Sequence, residues 1–223
     1  MAQVEGTAKA RRVQYSHGAT DRGRRTRGLL LAAARQVFER DGYLNARVAD
    51  IVTLAGVSHG TFYTYFDSRT EVVRAIMTEV NDEMVDALAV VLDEPGHPDG
   101  LDFPARLDLS NRRFLDVYRR NSAMLLLMEQ LATVDEKIGA QRVGGRRMHI
   151  ERVSKSIRSL QHKGFVDKDL DARTAAAALT AMVSNFAYYW LAMGEAFDDE
   201  LARTTLSQMW LGAIGYRDPR RGR

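Results

Sequence analysis

Residues 57–69 read VSHGTFYTYFDSR, and this stretch decides how the chain is read. Residues 62–66 hold four aromatic rings, in a chain whose aromatic content is 8%. The stretch contains no nucleophile–base pair and no cluster of metal-ligating side chains. Gly56 precedes it and permits a tight turn. Ser58 is a good N-cap for a short helix running to about Phe66. Phe62 and Phe66 are four residues apart and so share one helix face. Ser58, His59, Thr61, Tyr63 and Tyr65 are then left for the rest of its surface.

Working outward, two more helices are expected before this one. Leu29, Leu30, Ala33, Ala34, Val37 and Phe38 recur at three- and four-residue spacing, which predicts a helix over residues 24–41 closed by Gly42. A short helix follows over residues 47–55, with Val48, Ile51, Val52 and Ala55 on one side. After the aromatic stretch, Ser68 and Glu71 form a capping box for a longer helix reaching about Leu92. Two short helices joined by a glycine turn, behind a longer one, make the helix-turn-helix layout. Ile51, Leu54, Val57, Phe62 and Phe66 are its expected small core.

Such a helix can enter the major groove of double-stranded DNA N-terminus first. Thr61 and Tyr63 carry hydroxyls for phosphate oxygens, while Ser58 and His59 can approach base edges. Gly60 removes bulk between them. Arg69 can hold a flanking phosphate. Charge agrees with a polyanion at this end. Residues 1–69 carry 11 Lys/Arg against 6 Asp/Glu, and the remainder carries 21 against 23.

The segment GLLLAAARQVFERDGYLNARVADIVTLAGVSHGTFYTYFDSRTEVV resembles the TetR/AcrR family of bacterial transcriptional regulators. The resemblance rests on AGVSHGTFYTYFDSR, preceded by VFERDGY and VADIV, and spans about residues 26–73. Four positions depart from the family pattern. Ala46 and Arg47 stand where members commonly place Thr or Ser, leaving Asn45 as an alternative cap and Arg47 as an added phosphate contact. Arg69 replaces a Lys, and Val52 replaces an Ala.

The remaining chain reads as helices over about residues 105–120, 122–132, 134–163, 172–193 and 199–215, with a kink or break expected at Gly144 and Gly145. The expected fold is therefore all-α. It has a basic, disordered arm (1–21), a three-helix DNA-binding domain (22–68), a larger helical effector-binding and dimerisation domain (69–217) and a basic tail (218–223). The resemblance implies a homodimer joined through the two late helices and a small effector bound in the body. Leu179, Met182, Tyr189, Leu206, Met209 and Trp210 are the expected interface residues. A bulky, mainly apolar effector is expected against some of Phe114, Met124, Leu127, Met128, Phe186 and Trp190. Its binding would swing the reading heads apart through the fourth helix and release the operator. Repression is the expected sign.

Other functions find less support. The uncharged residues 174–194 are long enough to cross a bilayer but contain Ser, Asn, Thr and Tyr, so a buried packing helix is expected and no membrane partner. The pairs His149 with Glu151 and His162 with Asp167 invite an acid–base reading. Both lie in polar stretches that read as solvated surface, and no H-E-x-x-H, P-loop or cofactor motif supports an enzyme. The absence of cysteine and of an apolar leader fits a cytoplasmic protein. A helical small-molecule-binding protein without DNA function stays open on the sequence.

Overall fold

The computed structural model describes residues 20–92 and 102–217. The arm over residues 1–19, most of the loop after residue 92 and the basic tail lie outside them. The described chain is helical throughout: α1 (Asp21–Asn45), α2 (Val48–Ala55), α3 (His59–Tyr65), α4 (Arg69–Leu92), α5 (Phe103–Arg120), α6 (Ser122–Ala132), α7 (Glu136–His162), α8 (Ala172–Ala187) continuing into a π turn (Tyr188–Ala192), and α9 (Asp199–Ala213). Seven of these helices start on a side chain that accepts from the first turn: Thr20, Ser58, Ser68, Asp102, Asp135, Asp171 and Asp198. Each satisfies backbone donors that the helix cannot satisfy itself.

The N-terminal core is built from α1 to α4. Leu30, Leu31, Ala34, Val37 and Phe38 meet Ile51 and Val52 of α2, Phe62 and Phe66, and Val72, Val73 and Ile76 of α4. Leu54 is the correction to the expected core. It is 49% exposed, because α2 is only two turns long and turns its Ile51–Val52 edge inward. Val57 is partly buried against the cluster.

Gly42 breaks α1 where expected, with φ 70° and ψ 169°, a region open to glycine alone. The expected cap of α2 is not there. Arg47 occupies the N-cap with no side-chain hydrogen bond, and Asn45 turns back to donate to the Asp41 carbonyl at 3.1 Å. Buried Ala46 fills the bend between the helices. At the start of α4, Ser68 Oγ accepts from the Glu71 amide (3.2 Å), while the Glu71 carboxylate accepts from Asp67 N at 2.7 Å. The capping box thus closes one residue further back than the sequence implied.

α4 links the two parts of the molecule, packing on α1 at one end and on α5 and α7 along its length. In the body, α6 buries Met124, Leu125, Leu127, Met128 and Leu131. α7 runs unbroken through Gly144 and Gly145. Residues 174–194 form the packing helix α8 and the π turn. No helix among the described residues is long and apolar enough to cross a membrane.

Candidate nucleic-acid interface

Gly56 carries the turn. It sits in the left-handed region (φ 66°, ψ 34°) and closes α2, after which the Val57 amide donates to the Val52 carbonyl at 3.1 Å. A residue with a Cβ adopts this conformation at a cost, which accounts for glycine here. α3 then starts on Ser58, whose Oγ accepts from the Thr61 amide (3.1 Å) and lies 2.9 Å from Thr61 Oγ1.

The faces of α3 divide as the spacing implied. Phe62 is wholly buried and Phe66 nearly so, with their rings 5.9 Å apart. Tyr63 is 56% exposed, edge-on to Phe62 at 5.3 Å, which fixes the direction of its hydroxyl. Ser58, His59 and Gly60 are exposed and Thr61 is half-buried. Thr64, which the sequence reading left unassigned, is also exposed, and its hydroxyl donates to the Gly60 carbonyl at 3.0 Å. The signal for it was its place one turn beyond Gly60.

Nothing inside the protein requires glycine at position 60. A Cβ there would meet only Ser58 Oγ, at an ordinary 3.8 Å, and the backbone is helical. The surface between His59 and Thr61 is therefore smooth and open.

Two residues expected on this surface are placed elsewhere. Tyr65 is half-buried against the core and lines a cleft with Phe66, Arg74 and Gln141, because two residues along a helix turn it far from Tyr63. Arg69 is committed within the protein. Its NH1 donates to the Ala46 carbonyl at 2.6 Å, and its guanidinium lies over the Tyr43 ring. Arg47 is exposed beside the N-terminus of α2.

The body holds a cavity of about 380 Å³ bounded by α4, α5, α6, α7, α8 and the start of the π turn. Of the six residues expected to line it, Phe114 and Met128 do. Met124 and Leu127 are buried in the core instead. Phe186 and Trp190 pack edge to face (5.7 Å), and both rings meet Phe197 at the far side of α8. His149, expected at the solvated surface, stands half-buried on the cavity wall. Burial, followed by the charges of Arg152 and Arg146, lowers its pKa to about 4. Glu151 pairs with Arg158 at 2.9 Å rather than with His149.

Of the six expected interface residues, Leu179, Leu206 and Trp210 are buried within the chain. Tyr189 and Met209 are exposed, and with partly buried Met182 they border a shallow groove of about 570 Å³ between α8 and α9. Phe197 and Leu201 extend this apolar border.

A family model described as bacterial regulatory proteins, tetR family, matches residues 30–76. These residues run from the core of α1 to the first turns of α4. The chain is 28% identical over 176 residues to the HTH-type transcriptional regulator TtgR of Pseudomonas putida, covering 78% of this chain and 83% of that protein. It is 26% identical over 219 residues to the HTH-type transcriptional activator FasR of Mycolicibacterium smegmatis, covering 95% and 96%. The solved structure of the fatty acid degradation regulator FadR from Bacillus halodurans superposes with a TM-score of 0.70 at 20% identity, over 86% of this chain and 97% of that one. The glycine turn, the capped reading helix and these likenesses agree: residues 30–76 form the DNA-binding unit of the tetR family model, the chain resembles regulators of that family along most of its length, and it is a helix-turn-helix, DNA-binding transcriptional regulator rather than an enzyme.

Proposed function

We propose that the protein acts in the cytoplasm as a homodimeric repressor that reads a palindromic operator and leaves it when a small effector fills the body cavity. The observation that carries this reading is the outer face of α3. Ser58, His59, Thr61 and Tyr63 stand on a helix whose inner face is fully committed to the core, with Gly60 bare among them for no internal reason. Thr61 and Tyr63 supply phosphate contacts, and Ser58 and His59 reach base edges. Arg47 adds a phosphate contact at the start of α2. Arg69 supports the head from within.

A palindrome follows from dimer symmetry, since two reading helices must enter successive major grooves about 34 Å apart. The exposed apolar border of α8 and α9, with Tyr189, Phe197, Leu201 and Met209, supports the dimer. Burying such a patch against its own copy removes it from water.

A route from cavity to head is at hand. Leu125 and Met128 of α6 face the cavity. At the N-terminus of α6, Asn121 accepts from Arg35 of α1 and donates to Glu83 of α4 at 3.3 Å. An effector that displaces α6 therefore pulls on the first and fourth helices together. Ligand and operator then oppose each other reciprocally, by about 1–3 kcal/mol in typical couplings. Repression needs only occupancy of the operator, whereas activation needs a further surface for polymerase. The activator reading has one observation in its favour, the near full-length alignment with a protein named an activator.

The deciding experiment is a footprint of the purified protein on the DNA upstream of its own gene, followed by transcription in vitro from that template. A protected palindrome and reduced transcript are expected. A protected site with increased transcript reverses the sign, and no salt-sensitive protection removes the operator reading.

A further inference from the structure

The body cavity has a second, inner chamber of about 40 Å³ between α5, α7, α8 and α9. Phe114, His149, Thr180 and Ser184 line both chambers and so form the neck between them. Ser110 lies on the inner side. It is 1% exposed, yet its Oγ has no hydrogen-bond partner, and neither has the buried Oγ1 of Thr180. Helical hydroxyls elsewhere in this chain are satisfied by the carbonyl four residues back, as at Thr26, Thr53, Thr64 and Thr78. That the two buried hydroxyls at the cavity lack this bond marks them as donors held for something else.

Charge around the neck is also unbalanced. Arg152 lines the inner chamber and Arg146 the outer one, and neither forms an ion pair with a described residue. The neighbouring acids are already taken, Glu151 by Arg158 and Glu129 by Arg142. His149 stands between the two arginines and makes no hydrogen bond to another described residue. The walls on either side are apolar: Leu107, Leu179 and Trp210 within, Met84, Leu125 and Met128 without.

We infer that the effector is an apolar-bodied organic monoanion, its carboxylate seated at the neck on Ser110, Thr180, His149 and Arg152. This rests on the reading of the chain as an effector-controlled regulator and replaces a purely apolar effector with an amphiphilic one. A carboxylate has acceptor sites for all the idle donors, and its charge compensates the field of the two arginines. The apolar body then lies on Phe114, Leu125 and Met128, against the helix that holds Asn121.

The test uses matched probes, 2-naphthoate against 2-naphthamide and decanoate against 1-decanol. Binding is followed by fluorescence of Trp210 in a Trp190→Phe background and checked by calorimetry. At least one acid is expected to bind about tenfold more tightly than its neutral partner. Arg152→Gln and Thr180→Val should reduce that preference. Because Arg152 is partly exposed and Thr180→Val keeps shape, both variants are expected to melt like the wild type. NMR titration of His149 gives a second readout: bound acid raises its pKa, and bound amide or alcohol does not. Equal affinity within each pair, or a preference unchanged in both variants, overturns the inference. So does failure of every probe to bind a protein that still protects its operator, a result that leaves the regulator reading intact.

Discussion

The guanidinium of Arg69 lies 4.4 Å from the centre of the Tyr43 ring and donates to the Ala46 carbonyl, tying the start of α4 to the bend before α2. The Tyr43 hydroxyl, 2.6 Å from Thr70 Oγ1, closes the same corner. A charge-assisted bond plus a cation–π contact is worth about 2 kcal/mol. Arg69→Ala should therefore lower the stability of the head by about that amount in thermal melts. Arg69→Lys keeps the charge but loses the planar fork. It should recover little of the stability. If Arg69→Lys restores both stability and DNA affinity, the residue acts as a simple cation.

Gly60→Ala separates folding from reading. Alanine in a helix interior stabilises by about 0.5–1 kcal/mol over glycine, and the new methyl meets no obstacle in the protein. The variant should melt no lower than the wild type yet bind the footprinted duplex more weakly. Unchanged affinity would remove the argument that a partner approaches closely at this residue.

Adjacent rings on α3 should behave oppositely. Phe62→Ala empties a fully buried site and should cost about 3–5 kcal/mol, unfolding the head. Tyr63→Phe removes one exposed hydroxyl, so the melt should stay put while operator affinity falls and the salt slope stays as it was, because the lost group carries no charge. Gel shifts across a salt series measure both.

His149 sets a pH window. Its folded-state pKa of about 4 lies below the ordinary value of 6.5, because burial and the facing Arg152 and Arg146 disfavour the imidazolium. Between those values the unfolded chain takes up a proton that the folded chain refuses, so stability falls as pH drops from 6.5 to 4. The loss attributable to this group is up to about 3 kcal/mol. Denaturant titrations at pH 7.5 and pH 4.5 should show a smaller difference in His149→Gln than in the wild type.

Asn121 is the place to break communication without breaking either site. It touches neither the exposed face of α3 nor the apolar cavity wall, but it holds Arg35 and Glu83. Asn121→Ala should leave operator binding within about threefold and weaken effector-driven release by about 0.5–2 kcal/mol. Release measured by competition between probe and duplex decides it, and an unchanged response excludes this route.

The reading head was legible because its signals are local. Ser58 caps within four residues, Gly56 bends within one, and Phe62 and Phe66 declare their face by spacing alone. Leu54 was misplaced because in a two-turn helix one residue of rotation separates core from solvent. The body was less legible because its faces depend on which helix covers which. Leu179, Leu206 and Trp210 have the composition of an interface, yet α5 and neighbouring helices already cover them. His149 sits among Arg146, Arg147 and Arg152, and nothing in that polar run announces that its own turn faces a cavity.

The π turn after α8 carries a consequence for insertions and deletions. The Met193 amide donates to the Tyr188 carbonyl at 3.0 Å, five residues back, so this turn holds one more residue than an α-helical turn. That surplus residue sets the direction in which the chain leaves α8 for α9. Removing one residue from it would restore the ordinary pitch and rotate everything downstream by about 100°. Along this edge, the exposed apolar border is governed by counting as much as by composition, and a sister protein one residue shorter here would present a different surface.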